Sequence, residues 1–507
     1  MLAKAYSFGL NGLDAYPVTI EVDLARGLPA MTIVGLPDNA ITKSRERVRS
    51  AIKNSGFDFP CGRITINLAP ADTKKEGPSF DLAIALGILA ANEKIPSHTL
   101  TRYILLGELS LDGQIKSVSG SLPIALATQH EEFSGVIVPF SNAHESALAD
   151  QIAIFPFRTL NEIVHFLQMP EERIPFKPSG TTAAMALPQT IDLQDVKGQS
   201  HAKRGLEIAA AGSHNALLIG PPGSGKTMLA RRFPTILPPL TREEALEVTK
   251  IISVAGTARP TSLIWERPFR SPHHTSSHIS IVGGGTDPRP GEITLAHHGV
   301  LFLDEFPEFS RNALESLRQP MEDGFVTVAR AAKTLRFPAK FTLLGAMNPC
   351  PCGNLSNHQK PCRCSGHAVR KYLNKVSGPL LDRIDLHLEM PALRTSELMT
   401  TPSGDTSEEI RKRVILARDR QLKRLANDGV FANAHMSHRQ IKIHCAIDKE
   451  CQRLLRDAVE GLGLSARAHD KILKVARTIS DLEESETIRL EHLAEAISYR
   501  TLDKMNG

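Results

Sequence analysis

The sequence has few aromatic residues and no long apolar run. Phenylalanine, tryptophan and tyrosine make up 5% of its 507 residues, with a single tryptophan. No apolar run approaches the roughly 18 residues that a transmembrane helix needs. The first residues, Met1-Leu-Ala-Lys, also lack the pattern of a secretory signal peptide. These absences predict a soluble, cytoplasmic protein.

Cysteine and net charge are also low. Four of the seven cysteines lie in one cluster and the total is odd, which fits a reduced compartment and a metal site better than a disulfide framework. The net charge is only +5, from 60 basic and 55 acidic residues, so it neither requires nor excludes a nucleic-acid partner. At about 150 residues per domain, the length predicts two to four domains.

A complete phosphate-binding loop stands near the middle of the chain. It follows the apolar run 216–219 and precedes the helical run 228–233, so its backbone N–H groups can form a concave anion site. We expect Lys226 to reach the β- and γ-phosphates of ATP and Thr227 to hold Mg²⁺. A chance turn between a strand and a helix is the alternative. The predicted ATP-binding residues of the loop are Gly220, Pro221, Pro222, Gly223, Ser224, Gly225, Lys226 and Thr227.

Two acidic residues follow a later apolar run, 300–303, which indicates a buried parallel strand. We expect Asp304 to bind Mg²⁺ and Glu305 to orient and deprotonate the attacking water. The next buried strand, 341–346, leads to Asn348, which we expect to position that water or sense the γ-phosphate. Because phosphoryl transfer depends on positioning and charge stabilisation, this set predicts ATP hydrolysis rather than binding alone. Taken alone, a strand followed by two acids is also typical of an ordinary strand end.

Residues 1–168 alternate β-type and helical runs and predict a separate α/β domain. The β-type runs are 18–24, 31–34, 63–68, 103–106 and 136–138, and the helical runs are 40–54, 82–91 and 122–130. The segment 71–82 resembles the serine-bearing turn of the Lon-protease C-terminal domain, which has a ribosomal-S5-like fold. In that family a lysine activates the serine, but the matching position here is Ile124, and a serine without a base is a poor nucleophile. We therefore interpret Ser79 as a helix N-cap and the domain as non-proteolytic.

A proline-rich stretch, 169–190, is predicted to be a linker. The segment 191–395 is then the predicted ATPase core; its residues 195–199 resemble the box that helps to hold adenine in AAA+ ATPases. The segment 396–507 is predicted to be a helical lid, with helices over 407–427, 437–445, 449–461, 465–482 and 489–499. Arg467, at the start of one of these helices, is a candidate nucleotide sensor or an ordinary surface arginine.

Two segments inside the core are candidate substrate contacts. One contains His273, His274 and His278, which are either metal ligands or, as we prefer, polar residues of a loop that touches a substrate threaded through a ring. The other, 324–338, alternates on both sides of a turn and predicts a β-hairpin. Its tip carries Arg330 and Lys333, which either contact DNA phosphates or form a solvated turn.

Four clustered cysteines match a structural zinc site. Cys350, Cys352, Cys362 and Cys364 come from two tight turns, although Cys-x-Cys is a less usual spacing than Cys-x2-Cys. Free thiols, redox sensing, or replacement of one ligand by His358 or His367 are the alternatives.

Arg383 lies in the run 377–387, after the strand that leads to Asn348. An arginine between acids ordinarily forms a structural salt bridge, but this placement resembles the arginine finger of ring ATPases. Such a finger reaches the γ-phosphate bound by the neighbouring subunit. The predicted catalytic residues are Lys226, Glu305, Asn348 and Arg383.

The order of these motifs resembles the bacterial ComM/YifB family, often labelled magnesium-chelatase-like, over essentially the whole chain. The resemblance implies a homo-hexameric ATPase that encircles DNA, drives branch migration and allows incoming DNA to integrate during natural transformation, with recombination proteins as further partners. Two alternatives remain: a magnesium-chelatase-like motor acting on a porphyrin-binding partner, and a protein remodeller or Lon-type protease. The predicted fold class is α/β, with a Lon-like domain, an AAA+ parallel-sheet domain and a helical lid.

Overall fold

The computed structural model describes residues 1–170, 173–178, 191–285, 289–330, 333–355, 360–393 and 404–500. The chain forms two compact units. The first contains Met1–Met185 and Ala245–Ile264, and the second contains Ala186–Glu244 and Trp265–Gly507. The polypeptide therefore returns to the first unit after the second has begun.

The first unit is built on a seven-stranded mixed sheet of order β3-β4-β2-β1-β5-β8-β9. The hairpin of β1 and β2 is antiparallel, as is the pair β2 and β4, while the other neighbours are parallel. The strands, including the small pair β6 and β7, are β1 Leu2–Asn11, β2 Asp14–Ala25, β3 Ala30–Val34, β4 Arg63–Ala69, β5 Tyr103–Leu105, β6 Glu108–Leu109, β7 Ile115–Lys116, β8 Gly135–Pro139 and β9 Ile154–Phe157.

Helices cover this sheet and complete its core. The helix Asp81–Ala91 is buried all round, and its apolar residues pack with the inward faces of the strands, such as Val18, Ile20 and Val22 of β2. The α-helices of the unit are Asn39–Asn54, Asp81–Ala91, Ser97–Leu100, Ser121–Thr128, Ala143–Ser146 and Leu160–Gln168. The returning segment is held by hydrogen bonds: the Ser253 hydroxyl donates to Glu145 Oε1 at 2.5 Å, and the backbone N–H of Gly120 donates to the Ser253 carbonyl at 3.1 Å.

The predicted strands and helices of this part are confirmed, but two strands of the seven-stranded sheet, β1 and β9, and the small pair β6 and β7 were missed. In β1 the buried positions include the small residues Ala3 and Ala5, which give a weak apolar signal. Pro156 lies within β9 and weakens its strand signal in the sequence. This strand is at the edge of the sheet, where proline is tolerated. The interpretation of Ser79 as a helix N-cap was wrong, because Ser79 lies inside a short 3₁₀ turn and Phe80 occupies the N-cap position without a side-chain bond. Ile124 is buried in an apolar cluster.

The second unit contains a five-stranded, wholly parallel sheet of order β11-β14-β17-β10-β18. Two antiparallel pairs, β12 with β13 and β15 with β16, stand beside it. The strands are β10 Ala216–Ile219, β11 Phe269–Arg270, β12 Gly283–Gly284, β13 Arg289–Pro290, β14 Val300–Leu303, β15 Phe325–Arg330, β16 Lys333–Pro338, β17 Thr342–Met347 and β18 Leu386–Glu389. The carboxyl ends of β14, β17 and β10 therefore lie side by side.

Helices surround this sheet and form the C-terminal region. The five helices predicted after residue 400 are confirmed, and the α/β class with a parallel sheet and a helical C-terminal region is confirmed with them. The α-helices are Ser200–Gly212, Lys226–Arg232, His278–Val282, Glu292–Leu295, Arg311–Glu315, Arg318–Asp323, Gly366–Leu373, Gly378–Leu381, Ser407–Leu425, His438–His444, Lys449–Leu462, Ala466–Leu482 and Leu490–Ser498; a further helix, Arg242–Ala255, begins in this unit and continues into the returning segment of the first.

The run 312–322 is amphipathic and by its pattern alone predicts a single helix. The chain instead forms two helices there, Arg311–Glu315 and Arg318–Asp323. Pro320 lies near the start of the second, where its missing N–H costs no helical hydrogen bond, but it could not be accommodated inside one continuous helix. None of the helices in the described part of the chain combines the length and apolar character that a membrane span requires.

Candidate functional site

The phosphate loop joins the buried strand β10 to the helix Lys226–Arg232, as its sequence predicts. Gly223 and Gly225 have φ angles of +81° and +91°, which strain any residue with a side chain, so glycine is needed at both positions. Gln199, in the predicted adenine box, connects the loop to the segment after β18: its side-chain amide donates to the carbonyls of Ser224 at 3.2 Å and Pro391 at 2.8 Å.

Lys226 lies among oxygen acceptors at the loop. Its ammonium donates to the carbonyl oxygens of Gly220 at 2.7 Å and Pro221 at 3.0 Å, and to Asn348 Oδ1 at 3.1 Å. Burial lowers the pKa of Lys226, and the nearby carboxylate of Asp304 opposes this shift. The three acceptors hold the ammonium at the mouth of the loop, where a phosphate oxygen could replace them.

Asp304 and Asn348 reach the loop because of the strand order. Asp304 follows β14, Asn348 follows β17, and β17 lies between β14 and β10. The Thr227 hydroxyl donates to Asp304 Oδ2 at 2.7 Å. This hydroxyl and carboxylate are hard oxygen donors of the kind that Mg²⁺ prefers, so the pair fits that ion.

Glu305 is held in a left-handed conformation, with φ of +53°, and its backbone N–H donates to Asp304 Oδ1 at 2.9 Å. Its side chain is 60% exposed and contacts His274, with 3.0 Å between His274 Nδ1 and Glu305 Oε2. His274 follows the edge strand β11, and its ring lies 4.1 Å from that of His273. The histidine loop was predicted to touch a substrate, but the sequence did not indicate that His274 contacts Glu305.

Arg383 is largely buried and paired within its own chain. One guanidinium nitrogen contacts Glu322 Oε1 and another donates to the Pro379 carbonyl at 2.6 Å. The salt bridge is therefore made with a glutamate distant in sequence rather than with the flanking Asp382 or Asp385. A role as an arginine finger stays a prediction, and it requires Arg383 to leave Glu322.

Arg467 is exposed in the first turn of the helix Ala466–Leu482, whose N-cap Ser465 accepts a hydrogen bond from the N–H of Ala468. One turn further, Lys471 Nζ donates to Asp385 Oδ1 at 2.6 Å. Burial alone would raise the pKa of Asp385, but Lys471 and His214 together bring it well below its ordinary value. This buried pair fixes the helix of Arg467 to the segment that follows Arg383.

Comparison with known proteins agrees with this geometry. Three family models match: "Subunit ChlI of Mg-chelatase" at residues 20–142, "Magnesium chelatase, subunit ChlI" at 192–398 and "Magnesium chelatase, subunit ChlI C-terminal" at 404–500. The uncharacterized protein YifB of Salmonella typhimurium is 45% identical over 508 residues, which cover 99% of this chain and 98% of that protein. The competence protein ComM of Haemophilus influenzae is 42% identical with the same coverage. The chain belongs to the ComM/YifB family of magnesium-chelatase-like proteins.

Lon protease 2 of Bacillus subtilis is a more distant relative, 26% identical over 188 residues, or 33% of each chain. Membership of the ComM/YifB family confirms the recognition made from the motifs. It also indicates an AAA+ ATPase, with ATP and Mg²⁺ as the expected ligands of the phosphate loop.

The four clustered cysteines of this ComM/YifB-family chain converge in space. Sγ of Cys350 lies 3.4 Å from Sγ of Cys352 and 3.6 Å from Sγ of Cys362, and all four sulfurs lie within 4.8 Å of one another. Backbone N–H groups of Arg363 and Asn354 lower the pKa of the Cys352 thiol to about 6. The cluster is compatible with a structural zinc ion. His358, a predicted alternative ligand, lies outside the described residues.

The predicted β-hairpin of this family member is present as β15 and β16, with Arg330 opposite Lys333 in the register. The side chains of Arg330 and Lys333 lie outside the described part of the structure, and their contact with DNA stays a prediction. So does DNA contact by the histidine loop, in which His273 Nδ1 lies 2.8 Å from the Thr275 hydroxyl.

Proposed function

We propose that this protein is an ATP hydrolase that assembles as a homo-hexameric ring and moves DNA. In this proposal it promotes branch migration of recombination intermediates and the integration of incoming DNA during natural transformation. The observation that carries the ATPase function is the convergence of Lys226, the Thr227 and Asp304 pair, Glu305 and Asn348 at one edge of the parallel sheet.

The hydrolysis step assigns one task to each side chain. Lys226 exchanges its loop carbonyls for phosphate oxygens, and its positive charge stabilises the charge that develops in the transition state. Thr227 and Asp304 would hold Mg²⁺, which when bound neutralises phosphate charge. Glu305 orients a water and accepts its proton, and Asn348 contacts the γ-phosphate.

Two arginines complete the site in this proposal, and one of them, Arg383, requires the ring. Arg383 leaves Glu322 and reaches the γ-phosphate held by the neighbouring subunit. ATP hydrolysis would then depend on assembly of the ring, although Arg383 is mostly buried within its own chain. Arg467, exposed on the C-terminal helices, contacts the nucleotide of its own chain.

DNA is the proposed substrate because a relative that is 42% identical over essentially the whole chain is named a competence protein. Arg330 and Lys333 at the hairpin tip, with His273 and His274 of the histidine loop, are the proposed contacts. Basic contacts with phosphates make affinity fall steeply with salt. The proposal also includes recombination proteins as partners and a cytoplasmic location.

A magnesium-chelatase-like motor is the second candidate, because the three matching family models describe a magnesium-chelatase subunit. Such a motor would act on a porphyrin-binding protein instead of DNA, and a remodeller of other proteins is a variant of this alternative. Proteolysis is disfavoured by Ile124, an apolar residue where a Lon-type enzyme has its lysine.

The deciding experiment is ATP-dependent strand exchange on a labelled synthetic Holliday junction at two salt concentrations. We expect the wild-type protein to convert the junction. The variant Glu305→Gln should bind ATP but should not convert the junction. Glu308→Gln is the matched control, because this nearby glutamate bonds Lys375 on the surface. A protein that hydrolyses ATP but neither converts the junction nor responds to DNA would favour the chelatase-like or remodelling alternative.

A further inference from the structure

We propose that the four-cysteine cluster is a zinc site that positions Asn348 against the phosphate loop, so that zinc occupancy controls discrimination between ATP and ADP. This inference rests on the proposed ATPase function. It assigns the metal a role in nucleotide sensing beyond stabilising the fold.

The sulfur positions fit a metal and not a disulfide. Four sulfurs placed tetrahedrally around zinc at about 2.3 Å lie about 3.8 Å from one another. The observed separations between Cys350, Cys352 and Cys362 are 3.4, 3.6 and 3.6 Å, whereas a disulfide requires about 2.05 Å. Thiolates this close repel one another unless a cation lies between them, so the arrangement favours a bound divalent ion.

The first cysteine pair touches the nucleotide site directly. Cys350 follows Asn348 by two residues, and the N–H of Gly353 closes the turn by donating to the Cys350 carbonyl at 2.9 Å. Gly353 has φ of +77°, and a Cβ at this position would lie 2.5 Å from Cδ of Pro222 and 3.7 Å from Cγ of Asn348. The backbone of this cysteine turn therefore packs between the phosphate loop and Asn348.

The second cysteine pair is linked to the same residue, Asn348, through the helix that follows it. Cys362 and Cys364 lead directly into the helix Gly366–Leu373, which is capped by the Ser365 hydroxyl. Tyr372 on this helix is buried, which raises the pKa of its hydroxyl to about 12, and an interaction with the backbone N–H of Asn348 opposes this shift. A metal that joins the two cysteine turns would therefore position Asn348 in two ways: through the backbone that links Asn348 to Cys350, and through Tyr372.

Asn348 in turn bonds Lys226, with 3.1 Å between Oδ1 and Nζ. Loss of the metal frees the two turns from each other, and Asn348 is then no longer fixed at the distance from Lys226 that lets both groups contact one γ-phosphate. ADP lacks that phosphate, so its binding should change little.

The test uses the full-length protein and compares wild type, Cys364→Ser and Tyr372→Phe. Cys61→Ser is the matched control, because Cys61 is an exposed free cysteine of the first unit. For each protein we would measure bound zinc by elemental analysis, thermal stability, and the affinities for ATP and ADP by titration with fluorescent analogues well below the melting temperature.

We expect wild type and Cys61→Ser to hold one zinc per chain and to prefer ATP. Cys364→Ser should lose the zinc and lower the ATP preference by about tenfold, the effect of one hydrogen bond to a charged group. Tyr372→Phe touches no ligand, so it should keep the zinc and still lose part of the preference; it remains informative if Cys364→Ser does not fold.

Absence of zinc from wild type purified without chelator overturns the proposal, and so does an unchanged ATP preference in both Cys364→Ser and Tyr372→Phe. A wild-type protein that holds zinc but binds neither nucleotide overturns the ATPase function, and this inference with it. The two failures are therefore distinguishable.

Discussion

The buried ion pair of Lys471 and Asp385 should be a large source of stability in the second unit. Their side chains are 17% and 7% exposed, and the ammonium and carboxylate are 2.6 Å apart. The change Lys471→Met keeps most of the side-chain volume but leaves the carboxylate buried without its cation. Removing one partner of a buried pair typically costs about 3 to 5 kcal/mol, and we expect the lower end because Lys471 retains some exposure.

A matched control lies on another helix of the same unit. Lys412 and Glu408 are 2.8 Å apart but 68% and 66% exposed, so Lys412→Met should cost less than about 0.5 kcal/mol. Urea unfolding followed by circular dichroism and by the single tryptophan, Trp265, would measure both. Adding Asp385→Leu to Lys471→Met removes the buried carboxylate that has lost its lysine and should recover part of the loss. Equal effects of the two lysine changes would refute the reasoning.

The same pair predicts a dependence on pH. The folded pKa of Asp385 lies below its unfolded value of about 3.9. Its contribution is therefore fully present above that value and is lost as the pH falls through the folded pKa. The free energy of unfolding of wild type should fall more steeply in acid than that of Lys471→Met. Parallel curves for the two proteins would contradict the assignment.

Three further predictions concern the nucleotide site. His274→Ala should raise basal ATP turnover by a factor of about 1.4 to 5, since it removes a partly exposed contact of about 0.2 to 1 kcal/mol that draws Glu305 away from water; a fall would show instead that His274 orients Glu305 productively. Lys226→Ala should abolish ATP binding in an equilibrium titration, and tight binding by this variant would disprove the placement of the site. Arg383→Ala should bind ATP normally but lose turnover by about 10³-fold, and full turnover in steady-state assays would remove it from the catalytic set.

Local pattern explains which parts of the site could be predicted. The phosphate loop, the acids after β14 and Asn348 after β17 each depend on a strand and the residues that directly follow it, and adjacent parallel strands then bring them together. The contact of His274 with Glu305 and that of Arg383 with Glu322 join residues far apart in sequence. No periodicity or spacing encodes such pairings, because they depend on how a loop and a short helix cross the sheet edge.

Ser79 is a case in which a local sequence pattern gave a wrong prediction. A serine before an apolar helical run is a normal capping signal, but the preceding glycine and proline start a short 3₁₀ turn that moves the helix start past it. The strand β1 was missed for a different reason: most of its buried side chains, such as Ala3 and Ala5, are small, so its apolar alternation is weak, although it pairs with β2 along its whole length.

The return of Ala245–Ile264 to the first unit limits how far the protein can be treated as a string of independent modules. A deletion that ends at the predicted linker would remove Glu145 and Gly120 but leave Ser253, their partner, in the remaining chain. The remnant would expose a segment shaped for a fold that is no longer present, and it would be prone to aggregation or proteolysis. Loss of activity after such a truncation would therefore be no measure of what the N-terminal fold contributes, and point changes on its surface are the better means of finding its role.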